Sequence, residues 1–184
     1  VLPEIDIDGQ TLLLNSKVVI IGLGGLGCPV ATYLASSGLG KMLLIDNDFV
    51  SLSNLNRQTL FTENDINKNK VEAAAKRLLE LNPDLTINID ESKVDQNFVT
   101  NKLKEYDVII DCTDNFETRT LINKISLLYR IPLITGAALK FEGQVAVFRN
   151  DIDNEPCYRC LYPDLPNTKN TCIDSGILGS VTGF

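Results

Sequence analysis

Lys17-Val18-Val19-Ile20-Ile21-Gly22-Leu23-Gly24-Gly25-Leu26-Gly27 is the stretch that decides the fold. Residues 17–22 form a continuous β-branched run closed by glycine, the pattern of a strand buried on both faces of a parallel sheet. The glycines beyond it open a helix over 24–37, which Gly38 ends in a C-terminal stop position. Outward from there the same rhythm repeats. Residues 41–46 (KMLLID) predict a second buried strand, and 67–81 a helix ended by Pro83. A strand at 85–90, a short helix at 95–104 and a buried strand at 107–111 follow. Residues 115–129 predict a helix with Asn115 as N-cap. Residues 132–138 and 142–149 predict two more strands around a turn at 140–143. The implied fold is α/β: a doubly wound, Rossmann-like, mostly parallel sheet with an antiparallel extension and helices on both faces.

No repeat or Pro/Gly/Ser linker divides the 184 residues, so 1–184 is expected to be one domain. After Arg149 the rhythm breaks into a long polar loop, 149–176, which holds three of the five cysteines. The apolar segment 177–184 that follows is an odd place for a natural terminus, so the chain is expected to be part of a longer protein.

Composition removes several functions. No apolar run approaches the roughly 18–20 residues that span a bilayer, and no signal peptide is visible. With 17 basic and 24 acidic side chains the net charge is −7, unsuited to nucleic acid phosphates or an anionic membrane surface. Five cysteines are an odd set for a disulfide framework; reduced thiols or a metal site in a cytoplasmic setting fit better. There is no histidine, which excludes a Ser-His-Asp or Cys-His triad and any His-ligated metal within this chain.

Gly22, Gly24, Gly25 and Gly27 sit where a strand turns into a helix. Glycines there let backbone N–H groups approach an anion, and the helix N-terminus favours negative charge. The competing explanation is a turn made of glycine only for helix–sheet packing. Asp46 ends the next strand about 20 residues on, the position from which an acid takes ribose hydroxyls; Asp48 is counted in the same nucleotide-binding set. A turn of helix from Ser53 would bring Asn54, Arg57 and Gln58 together, a fork of donors and two amides suited to phosphate oxygens. Lys70 adds a mobile cation for a triphosphate, although alone it reads as an ordinary surface lysine. Asp114, at the carboxyl end of the fourth strand, is placed to hold Mg²⁺ against the phosphates. A nicotinamide-dependent reductase would need a proton donor, commonly histidine. Cys28 and Cys112 read as core. Cys157 and Cys160 form a C-x-x-C pair, half of a tetrahedral zinc site or a redox couple.

Taken together, GLGGLG, D-N-D-x-V-x-x-S-N-L-x-R-Q, N-K-V-E-A-A, D-C-T-D-N and G-A-A-L-K-F-E-G-Q-V resemble the ubiquitin-activating-like adenylyltransferases, with the ThiF/MoeB/HesA group nearest. The resemblance covers nearly the whole chain. It implies ATP-dependent adenylylation of a ubiquitin-fold sulfur-carrier protein at its C-terminal Gly-Gly carboxylate, serving thiamine or molybdopterin synthesis. Matched by motif, Asp46 is the ribose acid, Asn54, Arg57, Gln58 and Lys70 the phosphate-binding set, and Asp114 the metal-binding catalytic aspartate. The resemblance also implies Zn²⁺ on Cys157 and Cys160 with a second C-x-x-C beyond Phe184, an arginine-bearing segment before Val1, and a homodimer. It places Cys172 where relatives keep a covalently reacting cysteine; a dispensable loop cysteine is the equal alternative. Two other readings are weighed against it: an NAD(P)-dependent oxidoreductase, and a non-catalytic scaffold, in which Arg57, Lys70 or Asp114 would typically be lost.

Overall fold

The computed structural model describes residues 2, 3, 5–95, 98, 101–163 and 178–183. Strands β1 (Lys17–Ile21), β2 (Lys41–Ile45), β3 (Thr86–Asp90), β4 (Val108–Asp111), β5 (Leu133–Leu139) and β6 (Glu142–Phe148) form a single sheet in the order β3-β2-β1-β4-β5-β6. All neighbours are parallel except β5 and β6, which pair antiparallel as the sequence predicts. The chain runs outward from β1 to β3, then crosses back to β4 on the other side of β1. That reversal opens a crevice at the carboxyl ends of β1 and β4.

Helices α1 (Asp6–Asn15), α2 (Gly27–Ser36), α3 (Lys70–Leu81), α4 (Phe116–Tyr129), α5 (Tyr158–Leu161) and α6 (Gly179–Thr182) are joined by three short 3-10 turns, Leu52–Asn54, Glu63–Asp65 and Asn101–Glu105. Alternate residues of the central strands enter two separate cores. Val18, Ile20, Met42 and Leu44 pack with Cys28, Ala31 and Ala35 of α2 and Val71, Ala74 and Leu78 of α3. Val19, Ile21, Leu43, Ile45 and Ile109 pack on the opposite face with Ile122 and Ile125 of α4 and Tyr158 of α5. Burial on both faces is why these strands read as unbroken apolar runs rather than alternating ones.

Several boundaries differ from the sequence reading. Gly24 lies outside α2, which starts at Gly27. Helix α3 starts at Lys70, not residue 67: Asn67 holds a positive φ of 70° and Asn69 caps Val71 N–H. The helix expected at 95–104 is a 3-10 turn, Asn101–Glu105, in its described part. The C-x-x-C pair does not sit in open loop; Cys157 caps α5, a single helical turn. Helix α1 is unanticipated. None of its residues is buried, so it has no apolar stripe to betray it. Asn115 caps α4 as expected, accepting Thr118 N–H at 2.9 Å, and Gly38 follows α2 with φ 86°. No helix among the described residues is long and apolar enough to cross a membrane.

Candidate active site

The crevice at the switch point is a pocket of about 630 Å³, within the size range of small-molecule sites. The strand register puts its floor in one row. Ile21 lies opposite both Ile45 and Asp111, so the residues just past these strands, Gly22, Asp46 and Cys112, emerge side by side. Gly22 N–H donates to Ile45 O at 2.9 Å and Cys112 N–H to Ile21 O at 2.8 Å.

The glycines divide by role. A Cβ on Gly27 would stand 1.9 Å from Gly22 O, and one on Gly22, whose φ is 92°, 2.9 Å from Cys112 O. These two are required by the turn itself. Gly25 is hemmed in by Thr182 of α6, 3.1 Å from its ideal Cβ. Gly24 is different: a Cβ there would meet nothing within 4 Å. Packing alone accounts for Gly22 and Gly27, and leaves Gly24, which lines the pocket, as an open cradle.

Asp46 ties the turn to the second strand. Its Oδ2 accepts Leu23 N–H at 2.6 Å and its Oδ1 accepts Asp48 N–H at 2.8 Å. Each oxygen keeps a further acceptor position at the pocket edge. Beyond it the chain doubles back: Lys70 N–H donates to Asp48 O at 3.0 Å and Val50 N–H to Lys68 O at 2.9 Å. This pairing seats Lys70 in the pocket wall, where it is only 5% exposed and its Nζ meets Asp48 Oδ2 at 2.9 Å. It is therefore no ordinary surface lysine. Helical turn Leu52–Asn54 carries Asn54, whose carbonyl accepts the N–H groups of both Arg57 and Gln58. The Arg57 guanidinium donates to Ser53 O at 3.2 Å and Asn56 Oδ1 at 3.1 Å. Gln58 is buried in the pocket wall, and its Oε1 has no hydrogen-bond partner among the described residues.

At the end of β4, Asp111 is fully buried. Its Oδ1 accepts Thr113 N–H and Oγ1–H, and its Oδ2 has no partner. Burial raises its pKa, with nearby Arg119 opposing the rise. Asp114 is exposed and lines the pocket. The sequence reading missed Arg119, which also lines the pocket; its Nη2 donates to the carbonyls of Thr113 and Gly136. Its one sequence signal is a basic residue at helical spacing from Ile122, which by itself reads as a solvated position.

Asp46, Asp48, Asn54, Arg57, Gln58, Lys70, Asp114 and Gly22, Gly24 and Gly25 thus line one cavity; Gly27, expected with them, is instead buried at the start of α2 and does not line it. Cys157 and Cys160 lie apart from it, with sulfurs 3.7 Å apart. Two sulfurs about 2.3 Å from a tetrahedral metal would lie about 3.8 Å apart, so the pair fits half a zinc site. No cluster of three or more His, Cys, Asp or Glu among the described residues completes it. Cys172 lies outside the described residues. Burial pushes the Cys28 thiol up to about 12 and raises that of Cys112 further. Burial also acts on Cys157, but hydrogen bonds from Asn123 and from the Cys160 and Arg159 backbones outweigh it and lower its pKa. Iodoacetamide at pH 8 is accordingly expected to label Cys157 and Cys160 ahead of Cys28 and Cys112 in the native protein, read by peptide mass spectrometry; equal labelling would contradict the buried placement.

A glycine turn at the switch point, an acid after β2 and a wall of Arg, Lys and amide groups define a nucleotide-binding protein of the Rossmann-like class. The chain belongs to the ThiF family, which it matches over residues 1–184. It is 45% identical over 185 residues to the adenylyltransferase and sulfurtransferase MOCS3 of Drosophila willistoni, aligning all of this chain with 40% of that protein. It is 41% identical over 183 residues to the molybdopterin-synthase adenylyltransferase of Escherichia coli K12, covering 73% of it. The chain thus spans about two fifths of the MOCS3 relatives and about three quarters of the bacterial one. Among solved structures, E. coli MccB with MccA-N7isoASN superposes with TM-score 0.83 at 28% identity, over 95% of this chain and 54% of that one. MccB with AMPCPP and MccA gives 0.77 at 31% identity, over 85% and 46%.

Proposed function

We propose that this chain is the ATP-binding unit of an adenylyltransferase that activates the C-terminal Gly-Gly carboxylate of a ubiquitin-fold sulfur carrier for molybdopterin synthesis. The carboxylate oxygen attacks the α-phosphorus of ATP, the bond from that phosphorus to the β-phosphate bridge breaks, and pyrophosphate leaves. The carrier ends as a mixed anhydride with AMP. A carboxylate nucleophile is already ionised at neutral pH, so no general base is needed, and a site without histidine is adequate. What the reaction needs is two anions held in line and their growing charge neutralised.

The single observation that carries this reading is the convergence of Lys70, Arg57 and Gln58 with the open Gly24 cradle and Asp114 on one cavity. Gly24 leaves room for a phosphate against backbone N–H groups. Asp46 takes the ribose, while Arg57, Asn54, Gln58 and Lys70 hold phosphate oxygens. Asp114, with no hydrogen-bond partner among the described residues, would hold Mg²⁺. Bound there, Mg²⁺ supplies positive charge to the triphosphate. Support also comes from the adenylyltransferase relatives and from MccB, solved with the ATP analogue AMPCPP.

Zinc on Cys157 and Cys160 is supported by the sulfur separation, a homodimer by family resemblance alone, and a cytoplasmic setting by the unpaired thiols. Thiamine synthesis is the other pathway of the same chemistry. Cys172→Ser in the intact protein is expected to leave adenylylation unchanged while removing any covalent carrier adduct. An adduct that survives this substitution would clear Cys172 of that role. The defining assay is ATP–pyrophosphate exchange against a panel of Gly-Gly-ended carriers. Exchange dependent on one carrier is expected; exchange with none, alongside tight binding of a nicotinamide cofactor, would favour the oxidoreductase reading instead.

A further inference from the structure

The buried face of α4 carries a polar seam beside its core residues Ile122 and Ile125. Arg119, Asn123 and Ser126 follow one another at spacings of four and three, so they share a face, and all three are buried. Arg119 serves the pocket end of this seam through Thr113 and Gly136. Ser126 serves the other end, donating to Ile131 O and accepting Asn150 Nδ2–H at 2.8 Å.

Asn123 lies between them at 1% exposure and uses both ends of its amide. Its Oδ1 accepts the backbone N–H of Tyr158 at 3.1 Å and Asn150 Nδ2–H at 3.4 Å. Its Nδ2 donates to Cys157 Sγ at 3.6 Å. One side chain thus grips the first N–H of α5 and the sulfur of the residue that caps it. Helix α5 has only four residues, too few to hold its shape unaided. The Tyr158 ring anchors the turn, packing edge-on to Phe148 at 6.0 Å and against Tyr162 at 4.9 Å. Ring packing fixes the turn, and the Cys157 sulfur is then held by the backbone N–H groups of Arg159 and Cys160 on one side and by Asn123 on the other. Among the described residues, Asn123 is the side chain outside the C-x-x-C pair that holds this sulfur. A buried amide is costly unless paired; here its oxygen is taken by Tyr158 N–H and Asn150, and its Nδ2 donates to Cys157 Sγ.

We propose that Asn123 is a positioning residue for the Cys157–Cys160 pair, fixing Cys157 Sγ where a thiophilic divalent cation takes it. This rests on the zinc reading above and adds to it a residue from outside the C-x-x-C motif. Outer partners of metal ligands are typically worth 10–100-fold in affinity.

The test is Co²⁺ titration of the zinc-free intact protein, followed by thiolate-to-cobalt charge-transfer absorption. Wild type is expected to develop the band, and Asn123→Ala and the milder Asn123→Ser to need about 10-fold more Co²⁺ or beyond. Ser126→Ala, on the same seam but without contact to Cys157, should titrate like wild type. If wild type gives the band and both Asn123 variants match it, the inference fails while the metal reading stands. If wild type gives no band that depends on Cys157, the metal reading fails and takes the inference with it. If neither Asn123 variant melts cooperatively, Asn123 is a folding residue and the positioning role is refuted.

Discussion

Asp114→Asn is expected to lower carrier-dependent ATP–pyrophosphate exchange by about 10³-fold or more while the protein stays folded. Groups that neutralise charge on a reacting phosphate are worth about 10²–10⁵-fold in rate. The position of Asp114 is what the proposed role requires of a residue that acts at the site and not in the fold. It stands three residues past the end of β4, exposed at the pocket, with no hydrogen-bond partner among the described residues. Removing its charge therefore strips no support from the fold. Asp111 is the contrast, being fully buried and holding the Thr113 backbone and hydroxyl. The measurement pairs exchange rate with a thermal melt. A folded Asp114→Asn protein that exchanges at near wild-type rate would remove this residue from the reaction.

Gly27→Ala and Gly24→Ala should part company completely, although they lie three residues apart in the same motif. At Gly27 an added Cβ would stand 1.9 Å from the Gly22 carbonyl oxygen. Neither group is a flexible side-chain end, so helix α2 must shift away from β1. The cost is expected to exceed about 3 kcal/mol, the upper end of ordinary overpacking. At Gly24 the added methyl meets no protein atom, so the melting temperature should stay at the wild-type value. Its effect should fall on ATP instead, weakening binding about 10-fold or more, because the methyl occupies space that the phosphates approach. Denaturant melts and calorimetric titration with ATP read the two effects separately. Undiminished ATP binding by Gly24→Ala would mean that the turn is glycine-rich for packing alone.

The sheet was legible because its strands are buried on both faces, so that residues 17–22, 41–46 and 107–111 carry an unbroken apolar signal. The crossover order followed from the β-α alternation and the handedness of parallel connections. Helix α1 left no trace, since a helix with no buried residue has no periodicity to detect. The start of α3 was misjudged because Asn67 and Lys68 extend its polar pattern while the backbone there pairs with Val50. That same pairing is why Lys70 looked like surface: its burial comes from a strand-like contact between segments 22 residues apart, which spacing does not reveal. The pocket residues themselves were legible from chemistry, being donors and acids gathered at strand ends. Arg119 and Asn123 were hidden inside a helix pattern, where a polar residue reads as a solvated face until its burial is seen.

The most direct measurement of the central claim is the intact mass of a Gly-Gly-ended carrier after incubation with this protein, ATP and Mg²⁺. The carrier is expected to gain one adenylyl group, with pyrophosphate released in equal amount and none of either when Mg²⁺ is chelated. A carrier of unchanged mass, with ATP left whole in the pocket or a nicotinamide nucleotide bound in its place, would contradict it.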